Sequence, residues 1–315
     1  MSFWQTKNWK NLILKSWQAS KVIEIDNVFF EKRSIWLWEY WLFALWVENI
    51  EKIDEEKIIK MCREENALFV QVETFEIPPP SIPLVGEESL FSPLGLWGEL
   101  EGELKPWHYK KFITPFTALI DLSKSLDEIL ALMKPKWRYN INLARKKWVE
   151  VFEWEKTDEN IKIFYDLMLE TTSRDGFSGN SFEYYKIFLQ EIENSSLIFT
   201  KIWEKILSAW IFVFDEDLSI YYYWASTSDK EYRNMMAPYL MQWYAIEKAK
   251  NIWSKFYDFL WVATPWDEKS HLLWVTDFKL KFTSDVREVS KSYIYVNKKF
   301  KYFLFQNLKK IKSMI

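Results

Sequence analysis

Glycine is nearly missing from this chain. Its 315 residues hold 6 glycines, where an ordinary chain of this length holds about 22, so residues bearing a Cβ must occupy many turns and helix ends. Cysteine is scarcer still. The single Cys62 excludes a disulfide framework and a cysteine zinc site, and it reads as a buried helix residue. The two histidines, His108 and His271, are too scattered for a metal cluster. No serine, histidine and acid triad, Walker loop or zinc spacing occurs. Covalent hydrolysis, nucleotide hydrolysis and metal catalysis therefore have no support, and no bound cofactor is expected. Long apolar runs are also lacking: the longest, Ile35 to Val47, contains Glu39 and is too short to cross a bilayer. Met1 to Lys21 mixes lysines with short apolar runs, unlike a secretory leader. A cytoplasmic chain is expected, with the inner face of the membrane as a further location. The net charge of −3 and pI near 5.7 exclude a generic nucleic-acid coat, so RNA contact would be a local patch.

What the chain has instead is tryptophan, 20 in all. It also has a recognisable order of elements. Ile53 to Asn66 is predicted as an amphipathic helix, Ala67 to Glu73 as a strand, and the proline- and glycine-rich Ile77 to Gly102 as a loop or lid. Phe116 to Leu122 is a predicted strand, and Ser123 is expected to open a helix from Leu126 to Met133. Next come six cations without an acid: Lys134, Lys136, Arg138, Arg145, Lys146 and Lys147. They form either a solvated helix face or a phosphate-binding patch, the absence of pairing carboxylates favouring the patch. Helices are predicted at Asn160 to Thr172 and Phe182 to Glu193, then a hairpin of Leu197 to Ile202 with Ile206 to Phe214. Tyr221 to Phe282 is expected to run strand, turn, long helix, strand, loop and strand, with the polar turn Ser226 to Asp229 capping the helix. Arg233 would open its helix and Lys279 would lie in its last strand, two cations able to converge on an anionic ligand. The tail from Asn297 to Ile315 alternates lysines with apolar residues, and is read either as packing on the first domain or as lying on a membrane.

The stretch Tyr223, Ala225, Ser226, Glu231-Tyr232-Arg233, Ala237-Pro238-Tyr239-Leu240, Gln242-Trp243, Tyr257-Asp258-Phe259, Val275-Thr276 and Phe278-Lys279 resembles the FemABX family. Those are aminoacyltransferases that build peptidoglycan cross-bridges from charged tRNA. Lys134 to Ile141 and Arg174-Asp175-Gly176-Phe177 extend the likeness over roughly residues 115 to 295. The resemblance implies an α+β fold of two tandem acetyltransferase-like (GNAT-like) domains around a cleft, without a long coiled-coil arm. The first domain is expected at 1–125, completed by 298–315, and the second at 126–297. The partners implied are aminoacyl-tRNA and a nucleotide- or lipid-linked peptidoglycan precursor, with peripheral membrane contact. Lys279 is the expected catalytic group, an electrostatic stabiliser or a ligand for substrate phosphate, with Arg233, Tyr239 and Tyr257 binding substrate. Asp258 is either a proton acceptor or a structural strand-end carboxylate. The alternatives are an acyl-CoA-dependent N-acyltransferase and a non-catalytic tRNA-binding relative.

The departures from the family pattern concentrate on tryptophan. Where this chain has Trp148, Trp210, Trp224, Trp253, Trp261 and Trp274 the family usually has glycine, and at Trp137 and Trp203 it often does. Local reasoning agrees at three of them. Trp148 and Trp253 follow helical runs where a left-handed residue is wanted, and Trp203 sits in a hairpin turn. Glycine at about 16 of the tryptophans would make both counts ordinary. The expectation is a gene from a lineage that reads UGA as glycine, translated here with UGA as tryptophan.

Overall fold

The computed structural model describes residues 3–36, 39–48, 50–79, 105–106, 114–270 and 272–312. His108, His271 and most of the expected loop from Ile77 to Gly102 lie outside them. The chain divides into two units, Met1–Pro115 with Glu288–Ile315, and Phe116–Arg287.

In the first unit the elements are α1 (Lys7–Lys15), β1 (Lys21–Ile25), β2 (Val28–Trp36), β3 (Glu39–Val47), α2 (Glu55–Glu64), β4 (Phe69–Thr74), β5 (Lys105–Pro106), β13 (Ser292–Val296) and α9 (Lys299–Lys312). They build a six-stranded sheet in the order β1-β2-β3-β4-β13-β5. Helix α2 carries the chain between the parallel strands β3 and β4, as a parallel connection requires. Its first turn is capped by Asp54, and Ile58, Ile59, Met61 and Cys62 point inward. Burial pushes the Cys62 thiol up to about 12, so it is an inert core residue.

The second unit comprises β6 (Phe116–Asp121), α3 (Leu126–Leu132), α4 (Pro135–Lys146), β7 (Glu150–Trp154), α5 (Asp158–Asp175), α6 (Phe182–Glu191), β8 (Ser195–Ile202), β9 (Lys205–Val213), β10 (Leu218–Ser226), α7 (Ala237–Asn251), β11 (Phe256–Asp258), α8 (Leu273–Lys279) and β12 (Val286–Glu288). The sheet order is β12-β6-β11-β10-β9-β8-β7. The expected boundaries at 125 and 297 shift for a pairing reason: β6 is laddered to β11, whereas β13 is laddered to β4. The longest described helix, α5, has 18 residues, so no long helical arm occurs among the described residues.

Two local expectations are corrected. Ser125, not Ser123, caps α3, in a reciprocal capping box with Glu128. The turn from Ser226 to Asp229 does not cap α7. It is tied to α5 through Glu170 and Arg174, a 3-10 turn Lys230–Met235 intervenes, and α7 starts behind Met236 at φ +59.

Among the described residues, five tryptophans have a left-handed backbone: Trp17, Trp46, Trp148, Trp203 and Trp253. Trp17, Trp148 and Trp253 end helices in one way. In each case the next residue's N–H reaches back five positions, from Gln18 to Ile13, Val149 to Ala144 and Ser254 to Ala249. The same closure ends α2 at Asn66 and α5 at Gly176, with the residue types that tolerate this conformation. Trp148, Trp203 and Trp253 are 77%, 75% and 86% exposed, so their rings gain little in return for the strain. At Trp210, Trp224, Trp261 and Trp274 φ is not left-handed, and there a smaller residue would change space alone. Buried indole N–H groups of Trp46, Trp137, Trp210 and Trp261 find no partner among the described residues, each a cost of about 1–3 kcal/mol. Trp9 by contrast donates to Glu31 at 3.1 Å.

Candidate active site

Strands β10 and β11 run parallel through Leu218↔Phe256, Ser219↔Tyr257 and Ile220↔Asp258, and then part. Strand β10 continues beside β9 to Ser226, with a bulge between Tyr221 and Tyr223. The other strand's continuation leans on β6, where Phe259 N–H donates to Ala118 O and Val262 N–H to Phe116 O, both at 3.0 Å. The divergence exposes backbone that neither strand's ladder uses, a usual place for a ligand in an α/β sheet.

A carboxylate and an amine meet this divergence from two elements. Asp258 ends β11, wholly buried. Its Oδ1 accepts from the Thr117 hydroxyl of β6 and from Leu260 N–H at 2.7 Å, and its Oδ2 has no partner among the described residues. Lys279 comes from the last turn of α8, a helix where a strand was expected. Its Nζ donates to the carbonyls of Leu260 at 2.7 Å and Trp261 at 2.9 Å, which leaves one of an ammonium's three protons uncommitted. Leu260 adopts φ +51, strain of the kind that gathers at functional sites. Burial brings Lys279 down to about 7, opposed by the charge of Asp258. It also raises Asp258 to about 6, opposed by Thr117, Leu260 N–H and Lys279. Two groups with pKa values displaced toward neutrality suit proton handling and charge stabilisation.

The other nominated residues separate. Arg233 is exposed in the 3-10 turn Lys230–Met235, whereas Lys279 is buried. Tyr239, on α7, is half-buried among Trp137, Phe278 and Phe282, and burial raises its hydroxyl pKa. Tyr257 is fully buried and donates to Gln242 Oε1 at 2.5 Å. It is a core residue of an inner strand buried on both faces, since its neighbour Asp258 is wholly buried as well. The basic patch divides evenly. Arg138 donates to the carbonyls of Leu130, Ala131 and Met133, holding the junction of α3 and α4. Arg145 lies 3.6 Å from Glu247, a pairing carboxylate that the local sequence does not contain, and Lys147 donates to Asn234 O at 2.7 Å. Lys134, Lys136 and Lys146 are exposed and without a side-chain partner among the described residues. Thr117 and Leu260 were missed by sequence reasoning; no pattern marks a threonine that faces a carboxylate 141 positions away.

On titration with a polyanion, Lys134→Ala, Lys136→Ala and Lys146→Ala together should lower the salt slope of binding by roughly 2. Arg138→Ala should leave that slope unchanged and cost about 1–2 kcal/mol of stability, because three carbonyls lose their donor.

Each of the two units is a mixed α+β fold built on one sheet. The sequence profile of the FemAB family matches residues 106–202 and 193–310, together well over half of the chain. The chain belongs to the FemAB family. Among solved structures, the crystal structure of FemX is 15% identical, with 96% of this chain and 94% of that chain covered and a TM-score of 0.73. The C-terminal domain of a putative lysylphosphatidylglycerol synthetase from Agrobacterium fabrum is 13% identical, with 95% and 90% covered and a TM-score of 0.56. L-PGS from Bacillus licheniformis is 9% identical, with 88% and 84% covered and a TM-score of 0.54. At these identities the likeness is one of fold. No curated protein matches the chain.

Proposed function

We propose that the chain transfers an amino acid from an aminoacyl-tRNA to the side-chain amine of a peptidoglycan stem peptide carried on a nucleotide or lipid. Family membership makes it a transferase of the general class that builds peptidoglycan cross-bridges; the donor, the acceptor and the residue roles are the proposal. The observation that carries it is the buried Lys279 at the strand divergence, with two protons on carbonyls and one unassigned. Attack of an amine on an activated ester needs no protein nucleophile. The new C–N bond forms as charge gathers on the ester oxygen, and the C–O bond to the ribose then breaks. One amine proton leaves as the ribose oxygen takes one up. Lys279, protonated, is suited to stabilise the oxyanion in a site of low dielectric constant. Asp258 holds the Leu260 turn that aims it. Lys134, Lys136 and Lys146 suit the tRNA backbone, and Arg233 a precursor diphosphate.

One observation favours the non-catalytic reading: the rings of Trp224 and Trp274 lie 5.7 Å apart, and Trp224 is also the cross-strand partner of Trp210. Trp210 is buried in the core, and the indoles of Trp224 and Trp274 beside β10 take up space a donor would need. The test of function is therefore run on the chain as it stands and on a form with glycine at Trp148, Trp203, Trp210, Trp224, Trp253, Trp261 and Trp274. A charged tRNA pool bearing labelled amino acids is offered together with a stem-peptide precursor. Ribonuclease-sensitive label on the precursor is expected from the glycine form. No label from either folded protein would overturn the proposal, and label from an acyl-CoA would replace it with the N-acyltransferase reading.

A further inference from the structure

Helix α9, Lys299–Lys312, has two unlike faces. On one, Tyr302 meets Phe69, ring centroids 5.3 Å apart, and Lys298 and Lys301 at its start pair with Glu39. The opposite face is apolar and exposed: Phe300 is 73% exposed, and Phe303, Leu304 and Leu308 are exposed as well. Positions 300, 304 and 308 follow each other at four-residue spacing with 303 beside them, so the four make one stripe along the helix. The helical register places positions 299 and 310 on one side of that stripe and 301 and 312 on the other, all lysines.

The tail that carries this stripe is charged with one sign. After Glu288 the last 27 residues contain seven lysines and no acid, in a chain whose overall charge is −3. An exposed apolar stripe edged by lysines is the form of a helix that lies in the plane of an anionic bilayer, apolar side chains among the acyl chains and ammonium groups at the headgroups. A nucleic acid would leave the stripe unburied, and a second copy of the helix would bring lysine against lysine.

We infer that α9 is a membrane-surface anchor, which seats the chain on bilayers containing anionic phospholipid through Phe300, Phe303, Leu304 and Leu308. It goes beyond the transfer reading and does not depend on it.

The full chain is sedimented with vesicles of phosphatidylcholine alone and of phosphatidylcholine with 30 mol% phosphatidylglycerol, at about 0.1 M and 0.5 M salt. Binding at least tenfold tighter to the anionic vesicles, weakened by salt, is expected. Phe300→Ser with Leu304→Ser and Leu308→Ser should reduce it at least tenfold without changing the melting temperature, and Lys299→Gln with Lys310→Gln and Lys312→Gln should remove the preference for phosphatidylglycerol. No binding to anionic vesicles overturns the inference, as does binding that the serine variant retains. A dimer that the serine variant dissolves, with no vesicle binding, overturns it in favour of a second copy.

Discussion

Glycine at Trp148, Trp203 and Trp253 together raises the unfolding free energy of the second unit by about 3 kcal/mol. Each of the three holds a left-handed φ, +63°, +50° and +65°, which costs a residue with a Cβ on the order of 1 kcal/mol that glycine does not incur. Each ring is at least three-quarters exposed, so its removal forfeits almost no burial. For a unit of this size that gain is roughly 6–12 °C in melting temperature. The control is Trp243→Gly: this indole is buried and hydrogen-bonded to Glu247, and losing it costs about 3–5 kcal/mol. Chemical denaturation of the two proteins reads both effects. A triple variant less stable than the parent would show that these are genuine tryptophan sites. The gene gives an independent reading: UGA is expected at Trp224 and UGG at Trp243, and UGG at both would end the recoding idea.

Lys279→Ala lowers kcat/KM for transfer by about 10²–10³, the usual loss on removing one oxyanion donor. The pH profile distinguishes its role. As an electrostatic stabiliser Lys279 must carry its proton, so activity falls as pH rises through about 7; a lysine acting as base would give the opposite limb. Stability moves the other way. The folded lysine releases its proton near 7 and the unfolded one near the ordinary 10.5, so between these values the unfolded chain binds more protons and stability rises with pH. Relative to Lys279→Met, the parent therefore gains stability between pH 7 and 9. Asp258, raised to about 6, favours the folded state at low pH, and that contribution is lost as pH rises through 6, below this window. An activity loss in Lys279→Ala accompanied by a lower melting temperature at pH 9 would point to a structural role instead.

Local signals carried much of this architecture into the sequence. The capped helix α2, the hairpin β8–β9 and the left-handed ends at Trp148 and Trp253 each depend on a few consecutive residues. What escaped depends on distant ones. Leu273 to Lys279 has β-branched and aromatic residues that read as a strand, yet it is helical, with the Thr276 hydroxyl accepting Ala263 N–H at 2.8 Å. Arg145 and Lys147 look unpaired until Glu247 arrives from α7 and Asn234 from the turn before it. Lys279 was legible as a lone cation, but its burial by the Leu260 and Trp261 carbonyls was not. That turn rests on a leucine with a left-handed φ, which no residue preference forecasts.

The return of β13 to the first sheet sets an order of events during synthesis. Strand β4 is complete when Thr74 has left the ribosome, but β13, which fills the place beside it, begins at Ser292. Until then β4 presents unused backbone donors and acceptors, an invitation to foreign strands. The residues 116–287 that intervene are contiguous and make their own sheet. They can fold while the first unit waits, so the edge of β4 stays open to aggregation until Ser292–Val296 has emerged.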